Sequence, residues 1–351
     1  MNTIEIPEKN LFLELPQSLG ECSSEQYKEV AYYLYQMNTK AIDFHQFKVL
    51  CLYKLLGLKY TKKSKLSQGE KDEKDSNILM LSELIEDFFE KDEKGNIQTI
   101  KLDFLHNPLY KIRYKWRTYY GPTDFLQNIT FGEYMEGLGY FMKFINPQTA
   151  ENQELERLQK AKDELFNADL AYPEWENEVI EIDKEIEEIK RTIYLENQRK
   201  TRYLRELFCV FYRKKRWFAK DREDPQYDIR VKFDKHKVFQ QSEKMIQLDP
   251  GILYGFFLFF FSFQSYLDQA QINIEGQDID LSILFEKNLQ ETQERIPGIG
   301  MLSIAFDVSS TQVFGDLEKV KNTNFWEVIL HLYNAKKRYL EEESKTNTPT
   351  P

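Results

Sequence analysis

The segment 249–267 contains the longest apolar run of the chain and limits how the rest can fold. An Asp-Pro pair opens it, which is typical of a helix start. Phenylalanines at i, i+4 and i+7 define one helical face, and further phenylalanines fill the other faces. Such a helix has to be buried on most sides. Because a membrane span needs roughly 20 apolar residues and this run has about a dozen, we predict a core helix. Docking of a partner on its Phe-rich surface is the alternative.

Composition limits the class of protein. The chain has 351 residues, 41% of them hydrophobic, and a net charge of −10, which argues against broad phosphate binding by the whole protein. Only 14 residues are glycine, and this favours helices over a β-sandwich or barrel. We expect a mainly α protein that binds no membrane.

The cysteines and the N-terminus predict a reducing compartment. Cys22, Cys51 and Cys209 are far apart and lack CxxC spacing, so they read as free thiols. The first residues have neither a basic nor an apolar region of the secretory kind. The predicted localisation is therefore cytoplasmic.

Motifs that carry enzyme chemistry are missing from the sequence. His45, His106, His236 and His331 each stand without a second ligand at metal-binding spacing. Neither a P-loop, nor a strand-bound GxGxxG, nor a GxSxG elbow occurs. We predict no enzyme, with no catalytic, cofactor-binding or metal-binding residues. A pair of carboxylates assembled only by the fold remains an open alternative.

Capping signals predict several helices. Ser23 and Gln26 form a capping-box pair before a helix over 24–36. Thr39 or Asn38 is expected to cap a second helix over about 40–56. The pair Thr130 and Glu133 is a further capping box and opens a helix over 131–144.

Extended segments are expected in two places. Residues 3–19 alternate apolar and polar side chains. The segments 97–104 and 109–120 are rich in Ile, Tyr, Trp and Thr, which predicts one small β-hairpin between them. Residues 60–77 are predicted to be a solvated linker, and 341–351 a disordered tail.

The clearest periodic signal is an a/d heptad seam. Apolar residues spaced by four and three, with Glu and Lys between them, predict a coiled coil. Together with a helix over about 151–171 they indicate an antiparallel hairpin that protrudes from the body. The seam is either a partner-binding face or the inside of a surface coiled coil without a partner. Its residues are Val179, Ile182, Ile186, Ile189 and Ile193.

A cationic segment with aromatic residues, Arg213–Lys220, follows this helix. Such a cluster can bind phosphate backbones or single strands. Cations at a helix C-terminus, which suit the helix dipole, are the interpretation that we favour. A nucleic-acid partner is therefore not expected, and binding through Arg213–Lys220 stays an alternative.

The predicted fold is a mainly α, irregular multi-helix body with a small β-hairpin and a protruding antiparallel helical hairpin. The boundaries that we expect are 1–59 for an extended segment and helix pair, 60–77 for the linker, 78–150 for a helical and β-hairpin body, 151–200 for the coiled-coil insertion, 201–285 for the core helices, 286–340 for a C-terminal helical unit and 341–351 for the tail.

Five short segments, taken in order, resemble proteins from phages and prophages of Bacteroidota-type bacteria. The central one carries Gly121-Pro122, Asp124, Leu126, Asn128, Thr130-Phe131 and Glu133. The closing ones are similar to a pattern of phage tail assembly chaperones. The long 151–200 insertion departs from a minimal member. The segments are Leu15–Gln26, Tyr120–Tyr134, Leu207–Arg213, Val313–Val320 and Asn324–Leu330.

The resemblance implies a non-enzymatic chaperone without a cofactor. Such a protein is expected to bind a tape-measure-like or tail tube protein in the host cytoplasm during tail assembly. An apolar, helical partner of this kind suits binding in a groove. Two alternatives remain: a structural tail or neck component that is retained in the virion, and the nucleic-acid-associated protein described above. The oligomeric state is not determined by the sequence.

Overall fold

The computed structural model is mainly helical, with small antiparallel strand pairs between the helices. It describes residues 1–6, 11–58, 68–145, 154–155, 157–163, 174–219, 224–269, 271–274, 277–284 and 301–346. The predicted mainly α class with a small β part is therefore confirmed.

Ten α-helices within the described residues make up most of the fold. They are α1 (Ser24–Asn38), α2 (Phe44–Leu55), α3 (Gln68–Ser82), α4 (Phe131–Ile145), α5 (Glu174–Phe211), α6 (Lys235–Lys244), α7 (Pro250–Gln269), α8 (Met301–Ser310), α9 (Leu317–Asn322) and α10 (Phe325–Thr346). Residues 157–163 are also helical.

The described strands form four separate antiparallel pairs. Each pair joins neighbours in sequence: β1 (Asn2–Ile6) with β2 (Leu11–Leu15), β3 (Phe89–Lys91) with β4 (Ile97–Ile100), β5 (Lys111–Tyr114) with β6 (Arg117–Tyr120), and β7 (Gln271–Ile274) with β8 (Gln277–Asp280).

The single hairpin predicted between 97–104 and 109–120 is wrong. Ile97 pairs with Lys91 in one hairpin, whereas Tyr114 pairs with Arg117 in another. A turn stabilised by Asp92, whose carboxylate accepts bonds from the backbone of Lys94 and Asn96, closes the first hairpin locally. Short-range turns outcompete the longer loop because closing a short loop costs less entropy.

Two of the three predicted helix starts are confirmed. Ser23 and Gln26 form the reciprocal capping box of α1, and Thr130 and Glu133 form that of α4. The second helix instead starts later than predicted. Asp43 is its N-cap and exchanges hydrogen bonds with Gln46.

Helices replace parts of two segments that were predicted to be unstructured. α3 begins at Gln68, inside the expected linker, and α10 continues to Thr346, inside the expected tail. Both extensions are rich in Glu and Lys, which are good helix formers. Their polar composition had predicted a linker and a tail although the same residues favour a helix. Residues 59–67 and 347–351 lie outside the described residues, as do the turn at 172–173 and residues 286–300.

α7 is the core helix. It packs against α1 and α5, and the Tyr27 hydroxyl donates to the Gly255 carbonyl oxygen at 2.7 Å. Phe256 contacts Phe211 with ring centroids 5.2 Å apart, and Phe260 lies 5.4 Å from the same ring. These two phenylalanines share one face of α7, whereas Phe257 on another face meets Phe144 of α4 with ring centroids 4.7 Å apart. Different faces of α7 thus meet different neighbours, as the all-round apolar pattern requires.

Among the described helices, α7 alone has the length and apolarity of a membrane span. Of its most apolar window, 67% is buried inside the fold. Phe261 is its most exposed phenylalanine.

α4 packs closely against α5 at Gly137. A Cβ atom added to Gly137 would lie 2.6 Å from Cζ of Phe211, whereas one added to Gly139 meets nothing within 4 Å. The two glycines are therefore a matched pair on one helix.

We expect Gly137→Ala to destabilise the fold by about 1–3 kcal/mol because it overpacks the α4–α5 contact. Gly139→Ala should instead stabilise by about 0.5–1 kcal/mol, since alanine is the better helix former. Urea denaturation of both variants measures the difference. Equal effects would show that α4 and α5 do not pack as closely as described.

Candidate functional site

Three stretches that are distant in sequence meet at the start of α4. The amide of Phe131 donates to the Thr323 carbonyl oxygen at 2.9 Å, and that of Phe325 donates to Ile129 at 3.0 Å. Tyr120 and Arg213 exchange backbone hydrogen bonds of 2.8 and 3.1 Å. The site therefore joins the middle of the chain, the end of α5 and the beginning of α10.

A cluster of four charged side chains, three of them buried and Asp228 half-buried, lies at this junction. Glu133 and Arg230 are each 1% exposed, and Arg213 is buried as well. One Glu133 oxygen contacts Arg213, and the other lies 3.4 Å from Arg230. Asp228 pairs with both arginines, at 3.2 Å from Arg213 and 2.7 Å from Arg230.

Arg230 uses all of its guanidinium nitrogens. Nε donates to Asp228, and the two terminal nitrogens donate to the carbonyl oxygens of Phe211 at 2.8 Å and Asn128 at 2.9 Å. A buried ion needs such additional hydrogen bonds to offset the loss of water. Arg230 therefore ties α5 to the loop before α4.

Both arginines carry a charge. Burial lowers the pKa of Arg213, and the neighbouring Arg230 adds to this. Burial acts in the same direction on Arg230, but Glu133 and Asp228 outweigh it and raise its pKa. Arginine titrates far above neutrality, so both stay protonated at pH 7. Two cations thus face two carboxylates.

The contacts of the cluster support a structural role. Glu133 also accepts the backbone N–H of Thr130 at 3.1 Å as part of the capping box. One of its oxygens is held by Arg213 and the other by Arg230 and Thr130. The cluster fixes three segments in place.

The cysteines are poor nucleophiles in this fold. All three are buried. Burial raises the pKa of Cys22 to about 12 and also raises the pKa values of Cys51 and Cys209. A protonated thiol reacts slowly. Within the described residues, no three His, Cys, Asp or Glu side chains come together in a way that could hold a metal ion.

An open cleft of about 1480 Å³ lies over Glu133. We call it the methionine cleft. The exposed face of α4 forms one wall with Met135, Leu138 and Met142, and α8 contributes Met301. Met142 is 53% exposed. Charged residues of both signs, among them Lys232 and Glu318, also line the cleft. Apolar and charged side chains that line one cleft suit an amphipathic ligand.

The predicted heptad seam lies on α5 and is partly covered. Val179 and Ile186 are buried within the chain, whereas Ile182 and Ile189 are half-buried. Lys162 and Asp183 form an ion pair of 2.5 Å between the helical segment 157–163 and α5. The side chain of Ile193 lies outside the described part of the chain. Partner binding by the seam stays a prediction.

The cationic segment lies just beyond the end of α5, and only its first residue acts as the predicted cation at a helix C-terminus: the Arg213 guanidinium donates to the Val210 carbonyl oxygen at 2.7 Å. α5 ends at Phe211, and the chain continues as an extended segment in which Arg213 bridges to Tyr120 and Lys215 to Arg230. Arg213 belongs to the buried cluster, so it is not available to a ligand. Lys220 lies beyond the described residues.

Sequence reasoning missed Asp228, Arg230 and the methionine cleft. Asp228-Ile-Arg230 lies in a stretch without apolar periodicity. The signal that could have found the cluster is Glu133, an acidic residue between apolar residues in the first turn of the helix. Buried charges require partners, but the sequence does not name them.

Comparison with protein-family models, with curated proteins and with solved structures found no match.

We expect Glu133→Ala to destabilise the fold by about 3–5 kcal/mol, because it leaves two buried arginines short of a counter-charge. Glu318→Ala is the control: its carboxylate is exposed and pairs with Lys321 at 3.0 Å, which should contribute less than about 1 kcal/mol. Urea denaturation measures both changes. A loss of under 1 kcal/mol for Glu133→Ala would contradict the structural role of the cluster.

Proposed function

We propose that this protein is a non-enzymatic binding protein, similar to a phage tail assembly chaperone, that holds an apolar helix of a long helical partner in the methionine cleft. A tape-measure-like protein is the partner that the sequence resemblance implies, and the host cytoplasm is the compartment. The observation that carries the proposal is the open apolar wall of Met135, Leu138 and Met142.

The size of the cleft supports a helical occupant. A helix is about 10 Å wide and rises about 1.5 Å per residue, so a volume of this size holds about 12 residues. A segment of three turns presents an i, i+4, i+7 stripe of apolar anchors, which is how grooves bind helices.

The methionines support adaptable binding. Their unbranched, polarizable side chains fit apolar surfaces of different shape. A tape-measure-like protein offers many similar helical stripes rather than one sequence, and a methionine wall tolerates such variation. The net charge of −10 keeps the chaperone soluble while it covers an apolar partner.

The 151–200 region offers a second contact. We propose that it forms the protruding coiled-coil hairpin, with Ile182 and Ile189 at the edge of the seam. Because these two residues are half-buried, a partner helix adds to their cover without opening the hairpin.

We expect Met142→Glu to weaken the complex with the long helix-rich protein of a neighbouring reading frame by at least tenfold, about 1.4 kcal/mol. The reason is that it places a charge in the apolar wall. Met80→Glu is the matched control, since Met80 is 64% exposed and lies on α3, outside the cleft. Copurification with the tagged chain, followed by titration, measures the affinities. Equal affinity for the two variants, or no complex with the wild type, would overturn the proposal.

Replacing Ile182, Ile186 and Ile189 with serine should weaken the same complex while the body stays folded. The loss follows from removing the apolar seam, and circular dichroism reports on the fold. Binding that survives these changes but is lost in Met142→Glu assigns the contact to the cleft alone.

A structural role in the particle is the second candidate. Copurification with assembled virions at fixed stoichiometry would favour this role.

A further inference from the structure

A second, smaller cleft of about 320 Å³ concentrates positive charge in this acidic protein. We call it the cationic cleft. Arg117, Lys214, Lys232 and Lys244 line it, and none of them forms an ion pair with a described carboxylate. Asp234 is the one acidic residue among its lining and is paired with Lys237 at 2.8 Å. Among the described residues, several cations of the cleft therefore lack a paired carboxylate, which favours an anionic ligand.

Exposed aromatic rings lie beside these cations in sequence. Trp116, next to Arg117, is 80% exposed, and Trp217 and Phe218, three and four residues after Lys214, are each 91% exposed. The Trp217 and Phe218 rings meet edge to face with centroids 6.5 Å apart. The apolar faces of these three large rings are therefore exposed to water. A bound ligand would cover them.

Backbone pairing places the two tryptophans at the same end of one ribbon. Tyr120 pairs antiparallel with Arg213, and Val231 and Arg216 donate to the carbonyl oxygens of Lys214 and Ile229, both at 2.8 Å. Arg213 thus pairs with the last residue of β6, and Lys214 and Arg216 pair with 229–231. Because the two segments run antiparallel, Trp116, which precedes β6, and Trp217, which follows Arg216, lie at the same end of the pair.

The rings lie within reach of the cleft. Trp116 adjoins Arg117, which lines the cleft, and three residues of extended chain from Lys214 to Trp217 span at most about 11 Å. A nucleic-acid strand whose phosphates bind in the cleft would therefore reach the aromatic rings within a few nucleotides.

We infer that the cationic cleft and the rings of Trp116, Trp217 and Phe218 bind single-stranded nucleic acid. A positively charged groove for the backbone, next to aromatic platforms for the bases, is the arrangement that such binding uses. The cations line a concave surface. A flat anionic membrane cannot enter a cleft of this size, so the shape favours a flexible strand over a lipid surface. Overall acidity limits the contact to this face.

The inference does not depend on the helix-binding proposal. Lys214 and Lys244 line the cationic cleft and not the methionine cleft, whereas Met142 lines only the latter. Met142→Glu should leave nucleic-acid binding unchanged, so either proposal can fail alone.

The test is fluorescence anisotropy with a labelled oligothymidine of about 15 nucleotides, at several salt concentrations. Oligothymidine has no stable secondary structure, so it reports on single strands. We expect Trp217→Ala to lower the affinity at least about fivefold through lost base stacking. We expect Lys214→Ala and Lys244→Ala each to reduce the slope of log affinity against log salt by about 0.7.

Matched controls lie on other surfaces. Phe12→Ala removes a ring that is also exposed, and Lys94→Ala removes an exposed cation in the β3–β4 turn. Neither should change binding, and all the substituted side chains are at the surface, so the variants should fold.

Three results would overturn the inference. One is no binding of the oligonucleotide at low salt. Another is binding that Trp217→Ala and Phe12→Ala affect equally, which indicates charge attraction alone. The third is binding of vesicles with anionic lipid that depends on Trp217 while the oligonucleotide is ignored, which assigns the surface to membranes.

Discussion

A helix with phenylalanine on every side has to be covered on every side, and α7 imposes this condition on the whole protein. α1 covers it through Tyr27, and α5 covers it through Phe211. Phe263 meets Phe325 of α10 with ring centroids 5.7 Å apart. The free energy gained by burying such side chains, about 1.5–3 kcal/mol each, makes a central position for α7 the stable arrangement. The remaining helices then share the task of enclosing it.

The ion cluster solves the problem that this enclosure creates. Segments that surround one helix come from distant parts of the chain, and apolar contacts are too undirected to fix their relative positions. Glu133, Arg213 and Arg230 supply direction, because each hydrogen bond requires a defined distance and angle. The cost of burying these charges is offset only while every partner is present. The cluster thus makes the junction cooperative: the start of α4, the end of α5 and the 228–230 segment hold together or not at all.

The two clefts flank this rigid junction. The 231–237 segment, anchored by Arg230, lines both the methionine cleft and the cationic cleft. A site that is built on a fixed support loses less entropy on binding than one on a loop. The methionine cleft offers adaptable apolar surface, and the cationic cleft offers charge and flat rings. The proposed helical partner and the proposed single strand would therefore bind neighbouring surfaces of different chemical character.

The sequence determined the elements whose causes are local. The capping boxes at Ser23 and Thr130 and the apolar run of α7 each depend on residues within a few positions of one another, so α1, α4 and α7 follow from periodicity and end signals. α9, which has only six residues, escaped because so short a helix has no periodic pattern to detect. The hairpins at β3–β4 and β5–β6 were paired wrongly, since alternation indicates strands without naming their partners.

Only the tertiary structure decided the site. Nothing in the chain connects Glu133 with Arg230, which lie almost a hundred residues apart, and Arg213 looked like a surface cation until its burial placed it in the cluster. The same holds for the clefts, which exist between elements rather than on any one of them. Apolar periodicity depends on residues that are neighbours in sequence. Charge pairs and clefts depend on which surfaces come together when the chain packs around α7.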